Sequence, residues 1–264
     1  MLLSTLVVML VASVFLVQNE YYSDVVRRSS LQENVRTAVA MVSADLRGVA
    51  AGGIVAAEED SVVFRVPMVV GGVCAVNGTE TYLHFPLEGE ALDPTEVAGY
   101  AVRDDSGSWT HTAATWASVF NSSGGAAAGT CRGAGADTVG AFDDFYRLDG
   151  LSASPALQPG DLVMIFRQLE LKLDISDLDS TSTAVFRGPA GGTVAEIANS
   201  LSPNSTFEYR VSGQNRFRTR IRGGTMDRIV AIRFSALGAV PSSRANRDSL
   251  TFDLTVSVPL GNAY

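Results

Sequence analysis

Side chains able to move a proton at neutral pH are scarce in this chain. His84 and His111 are its two histidines, the first in an alternating run of strand type and the second in a Ser/Thr-rich turn. No G-x-S-x-G elbow, P-loop or H-E-x-x-H accompanies them, and Gly133-Ala134-Gly135 stops short of a G-x-G-x-x-G fingerprint. Asp174, Asp177 and Asp179 bring three carboxylates together, yet no EF-hand glycine or terminal glutamate follows, so they read as a solvated strand end. Glu58-Glu59-Asp60 reads as a solvated acidic turn. The chain is therefore not expected to be an enzyme, and no cofactor or metal is expected.

Cys74 and Cys131 have no C-x-x-C spacing and no Cys/His cluster around them. They are expected to form one disulfide, which places the domain outside the cytoplasm; two buried thiols are the alternative. The basic residues are nineteen arginines and Lys172, and nine of those arginines fall between Arg210 and Arg247 with Asp227 alone opposing them. In RFRTRIR, residues 216 to 222, alternation puts Arg216, Arg218, Arg220 and Arg222 on one strand face and Phe217, Thr219 and Ile221 on the other. Four guanidinium groups in a row repel one another and need a neutralising neighbour. The first reading is an acidic strand alongside, with LELKLDI at 169 to 175 as candidate. The acidic surface of another subunit is the second. Nucleic acid comes last, because a net charge of -8 gives no bulk attraction to it. N-x-[ST] sequons at Asn77, Asn121 and Asn204 mark candidate glycosylation sites in exposed loops.

The elements that must carry these residues start with the first fifty positions, which read as one long helix in two parts. Residues 1 to 17 hold no charge, and their three polar side chains, Ser4, Thr5 and Ser13, can bond to the helix's own carbonyls. From Gln18 the pattern turns amphipathic. Leu31, Val35, Val39, Val42, Leu46 and Val49 recur at steps of three and four, with Arg27, Arg28, Glu33, Arg36, Asp45 and Arg47 on the other face. At about 1.5 Å per residue such a rod is roughly 75 Å long, too long for one globular domain. No basic segment precedes the apolar run and its helical phase continues through Tyr22, which fits no cleaved secretory signal. As a plain anchor, seventeen residues lie at the short end for a span.

An uncharged helix at the start of the chain, continuing as an amphipathic stem into a β-rich head, resembles type IV pilins and pseudopilins after removal of their leader. The stem LQENVRTAVAMVSADLRGVA, residues 31 to 50, is similar to that of PilW-like and PulJ-like minor pilins and pseudopilins, above all in Leu31-Gln32-Glu33-Asn34, Arg36 and Asp45-Leu46-Arg47. Pro159-Gly160-Asp161-Leu162-Val163, the block at 186 to 201, Ile229 to Phe234 and the final LTFDLTVSVPL extend the likeness into the head. At the fifth position, where the family usually has a glutamate meeting a neighbour's amine, this chain has Thr5, as some pseudopilins lack that glutamate too.

The resemblance implies an α+β fold. A hydrophobic and amphipathic helix over 1 to 53 (1 to 17 hydrophobic, 18 to 50 stem, closed by Ala50 to Gly53) packs on an antiparallel β-rich head over 54 to 264. Within the head, SVVFRV and TYLHF are expected as strands with turns at Pro67, Gly71-Gly72 and Asn77-Gly78. A Gly/Ser/Ala-rich insertion is expected near 104 to 140, tied back through Cys131. Leu31, Val35, Val39, Val42 and Leu46 would join stem to head. Met1, Leu2, Leu3, Thr5, Leu6, Val7, Leu10, Val14 and Leu16 would build a filament core. The function implied is a structural subunit that polymerises into an extracellular, cell-surface filament, held in the cytoplasmic membrane before assembly. Its partners would be copies of itself, other pilins, and a pilus or type II secretion assembly machinery. A low-copy priming or capping subunit and a membrane-anchored adhesin or DNA-binding module are the alternatives.

Overall fold

A computed structural model describes residues 2–50, 52–77, 80–85, 93–103, 107, 109–114, 120–121, 131, 144–149, 157–240 and 250–260. The helix α1 spans Leu2–Arg47 without a glycine or proline to interrupt it. Ser13 and Ser43 return their hydroxyls to the carbonyls of Leu10 and Ala40, at 2.8 and 3.0 Å, so both are accommodated inside the helix. The helix ends earlier than its apolar spacing predicts. Gly48 tightens the last turn by donating to the Asp45 carbonyl, Arg47 complements the dipole, and Ala50 already bridges to another segment.

Among the described side chains of α1, those buried lie from Leu31 onward. Leu31, Val35, Val42 and Leu46 are buried and Val39 nearly so, on a stripe with Ala38 and Val49. They lie across β10 (Ala195–Leu201), β12 (Ile229–Val240) and β13 (Leu250–Pro259). Polar clamps flank the stripe. Arg187 grips Asp45 through two parallel bonds, Nε to Oδ2 at 2.7 Å and Nη2 to Oδ1 at 3.1 Å. Asn34 donates to Asn199 at 3.0 Å and lies 3.3 Å from the hydroxyl of Ser200, a residue held at φ 63°. The Leu31–Asn34 and Asp45–Leu46 runs singled out in the sequence are thus the places where the helix is fastened to the head.

The described strands are all antiparallel and join one sheet in the order β11-β12-β10-β9-β8-β2-β3-β7-β6, with β1, β4, β5 and β13 added at its sides. The further strands are β1 Ile54–Ala57, β2 Ser61–Asn77, β3 Glu80–Phe85, β4 Gly99–Arg103, β5 Trp109–Ala113, β6 Phe120–Asn121, β7 Asp144–Asp149, β8 Leu162–Ile175, β9 Thr183–Pro189 and β11 Thr206–Val211. Two long strands, β2 and β8, pair from Ser61↔Lys172 to Gly72↔Leu162 and run through both halves of the head. Around one end lies the main core, where the stem meets Phe64, Leu169, Leu171, Phe207, Tyr209, Ile232 and Phe234. Around the other lies a smaller core of Val73, Leu83, Phe85, Tyr100, Val102, Val163 and Ile165. Within the main core Tyr209 sends its hydroxyl to the carbonyls of Glu58 and Ser61, at 2.8 and 2.9 Å, and so satisfies a phenol that burial would otherwise penalise.

Several expectations change at this level. Pro67 and Gly71-Gly72 do not turn the chain; they lie inside β2. Pro67 sits at a register shift, where its missing N–H leaves no ladder bond unmade. Gly71 passes so close to β3 that a Cβ there would stand 2.3 Å from the His84 carbonyl oxygen. β2 and β3 pair antiparallel up to Asn77↔Glu80, and Gly78 lies outside the described residues. The segment 104 to 140 is not wholly an insertion, since β5 pairs residue for residue with β4 inside it. Its remainder, apart from Gly107, Ala114, β6 and Cys131, lies outside the described residues.

Candidate functional site

Val7 and Met9 to Val17 of α1 form a continuous exposed apolar run among the described side chains. Met9, Leu10, Phe15 and Leu16 are 74, 60, 68 and 66 % exposed, and Val7, Val11, Val14 and Val17 are exposed with them. At 100° per residue, positions 9, 10, 11, 14, 15, 16 and 17 point to every side of the helix. A helix apolar on all sides requires cover on all sides, unlike a surface helix with one buried stripe. Of the residues expected to build a filament core, Val7, Leu10, Val14 and Leu16 lie on this exposed rod. Leu2, Leu3, Thr5 and Leu6 are in the same helix with side chains outside the description, and Met1 lies outside it altogether. Beyond the apolar part, Tyr21, Tyr22, Val25 and Val26 continue the exposure toward the head. Among the described residues no helix is long and apolar enough to cross a membrane.

Cys74 and Cys131 are joined in a disulfide that links β2 to the segment 57 residues later. Cys131 is fully buried and packs against Tyr82.

RFRTRIR does not form a strand. Gly213 and Gly223 turn the chain at φ 79° and 66° on either side of it, and among the described residues its ladder contacts are the bridges Tyr209↔Arg218 and Ala57↔Ile221. The acidic strand within β8 is flanked by β2 and β9, so it does not lie beside these arginines. The physical reason is local: the left-handed turns at Gly213 and Gly223 break the regular path on either side, and isolated bridges replace a continuous ladder. Arg220 pairs with Glu58, so the acidic turn, rather than β8, supplies a carboxylate to one of the four arginines. Phe217 is held under Arg233, whose guanidinium carbon lies 3.7 Å from the ring centre, and near Arg210. Arg218, Arg220, Arg222 and Arg228 rim a cleft of about 440 Å³ whose floor includes the buried Val211 and Ile221. Arg216 is outside that lining.

The histidines lie on separate strands. His84 is on β3 opposite Gly72, and His111 is on β5 against Phe166, ring centres 5.6 Å apart. His111 belongs to a cluster with no signal in the sequence, because its members come from β2, β5, β8 and the short 3-10 turn Met226–Arg228. Arg65 donates to the Gly52 carbonyl at 2.9 Å and lies 5.5 Å from the Phe166 ring centre. Asp227 faces both Arg65 and His111 electrostatically. Burial pushes the imidazole down to about 4, with Arg65 adding to the shift and Asp227 opposing it. His111 is therefore neutral at pH 7, and its Nε2 finds no hydrogen-bond partner among the described residues. An imidazole of this kind takes up its proton first in the unfolded chain. Its contribution is intact above about 6.5 and is lost as the pH falls toward about 4. His111→Phe, which keeps the ring contact, is expected to flatten the fall in melting temperature between those pH values, read as wild type minus variant. A parallel pH profile for the two proteins contradicts this assignment.

Asp174 pairs with Lys172, Asp179 caps its own turn through Thr181, and no group of His, Cys, Asp or Glu able to hold a metal occurs among the described residues. Of the sequons, Asn204 lies in an exposed turn between β10 and β11. Asn77 and Asn121 belong to β2 and β6 rather than to loops, because both are taken up by ladder pairing. Compared with known proteins, the chain matches no family model, no curated protein and no solved structure.

Proposed function

We propose that this chain is a structural subunit that assembles with copies of itself, and with related subunits, through the N-terminal half of α1, into a pilin-like filament outside the cell. The carrying observation is the division of one uninterrupted helix at Leu31. From there on one stripe, Leu31, Val35, Ala38, Val42 and Leu46, is sunk into the head, whereas Val7 and Met9 to Val17 are exposed with apolar side chains on every side. Once the rod has left lipid, packing such rods side by side stabilises by about 25 cal/mol for each Å² of apolar surface kept from water. Before assembly the same rod rests in the cytoplasmic membrane, and assembly exchanges lipid for neighbouring helices. The stem residues fastened by Asp45 and Asn34 fix the direction in which the rod leaves the head, as a polymer with one repeating contact requires. Thr5 favours a second reading within this class, a low-copy subunit at the filament tip, because it removes the carboxylate that would pair with a neighbour's amine. Leu10→Asp combined with Val14→Asp places two charges in the rod, far from every core contact of the head. The expected result is loss of the chain from filaments with the melting temperature of the head unchanged. Filament incorporation at the wild-type level contradicts the proposal.

A further inference from the structure

We infer that the arginine-rimmed cleft is a second contact between copies of this chain, and that it receives the β8–β9 turn of a neighbouring head. The inference rests on the assembly reading above and adds a polar contact to the apolar one.

The cleft has the form of a socket. Its floor is the apolar pair Val211 and Ile221, and its rim carries Arg218, Arg220, Arg222 and Arg228 with no acidic residue in the lining. The four guanidinium groups are largely exposed, and among the described residues Arg220 alone has a carboxylate partner, in Glu58. The chain as a whole has a net charge of -8, so a basic cleft on it is complementary to the rest of its own surface.

The β8–β9 turn, residues 176 to 182, has the opposite character. Leu178 stands at its tip with 80 % of its surface exposed, and Ile175 beside it is 63 % exposed. Asp177 and Asp179 flank Leu178. Glu196 lies under the turn, where it accepts from the Ser176 hydroxyl at 3.0 Å and from the Asp177 amide at 2.8 Å. Ser176 in turn accepts from the Leu178 amide at 3.1 Å and the Asp179 amide at 3.2 Å. The turn is therefore held in one shape before it meets anything, which lowers the entropy cost of docking. Hydrogen bonds from Thr181 keep the Asp179 carboxyl below the usual carboxylate range, so the knob is charged at neutral pH. An apolar tip between two carboxylates matches an apolar floor between arginines. The exposure of Leu178 shows that the knob does not occupy its own chain's cleft. A contact from knob to cleft joins different patches on the two copies, the kind of contact that can repeat along a polymer.

The test uses the full chain in mild detergent, which covers the apolar rod and leaves head contacts to be read by sedimentation and by cross-linking. One variant carries Arg218→Glu and Arg222→Glu; the other carries Asp177→Arg and Asp179→Arg. Wild type is expected to self-associate, more weakly as salt is raised from about 0.05 to about 0.5 M. Each variant alone should associate at least tenfold more weakly, and an equimolar mixture of the two should recover the wild-type level, since each supplies what the other lacks. Recovery in the mixture also shows that both variants are folded. Equal association of all samples, absence of wild-type association, or binding of a short oligonucleotide by Arg218 and Arg222 in place of self-association overturns the inference. The assembly reading has its own readout, because Leu10→Asp with Val14→Asp acts on filaments and leaves this detergent measurement unchanged.

Discussion

Replacing Cys74 and Cys131 by serine is expected to lower the stability of the head by about 4 kcal/mol. The estimate follows from the 57-residue separation of the bridged positions: the entropy that an open loop of that length returns to the unfolded chain is of this order at 25 °C. The segment enclosed contains β3, β4 and β5, which supply Leu83, Phe85, Tyr100 and Val102 to the smaller core. That core is built from fewer large side chains than the one beneath the stem, so it has less apolar burial to offset the loss. Unfolding by guanidinium should shift to lower denaturant on reduction of the wild type and in the double variant alike. The smaller core should open first, and amide exchange in β3 and β4 would report it before exchange in β12. A difference under about 1 kcal/mol between oxidised and reduced protein would show that the bridge does not restrain the unfolded chain as its loop length requires.

Gly238→Val is expected to cost about 3 kcal/mol or more and to loosen the stem. Gly238 lies on β12, opposite Leu201 of β10 and Phe252 of β13, at the point where α1 crosses the sheet. A Cβ there would be 2.6 Å from Leu31 Cδ1 and 2.7 Å from Val35 Cγ2, and Leu31 and Val35 are themselves 1 and 0 % exposed. They have no open space to move into, so the added methyl groups must lift the helix or distort β12, and overpacking of this kind ordinarily costs one to three kcal/mol before any lifting is counted. Leu31→Ala combined with Gly238→Ala trades volume across the same contact and should recover part of the loss. Denaturation of the two variants and the wild type checks this, and Gly238→Val within about 0.5 kcal/mol of wild type would mean that the helix is not seated at this glycine.

Much of the helix was legible in the sequence because its signal is local. The steps between Leu31, Val35, Val39, Val42 and Leu46 describe one face of a helix whatever lies opposite, and those five residues form the buried stripe. The strand runs around Val62 and Leu171 were legible for the same reason, as period-two alternation. What the sequence did not show is pairing at a distance. Nothing near Pro67 announces that β2 continues past it, because the bulge is defined by β8, a hundred residues later. RFRTRIR alternates as well as any strand in the chain, yet its path is set by Gly213, Gly223 and the Phe217 contact with Arg233, none of which enters a periodicity. The cluster of Arg65, His111 and Asp227 had no signal for the same reason: three single residues on separate segments meet only after folding. The exposed rod was visible in composition, as seventeen residues without a charge.

The measurement that bears most directly on the proposal is electron microscopy of sheared extracellular material, with mass spectrometry to identify the chains that compose it. The account predicts filaments in which this chain is present, as the main band if it is the principal subunit or in small amount if it occupies the tip. Filaments that lack the chain, or extracellular material with no filaments while the chain remains a monomer in the cell envelope, would contradict it.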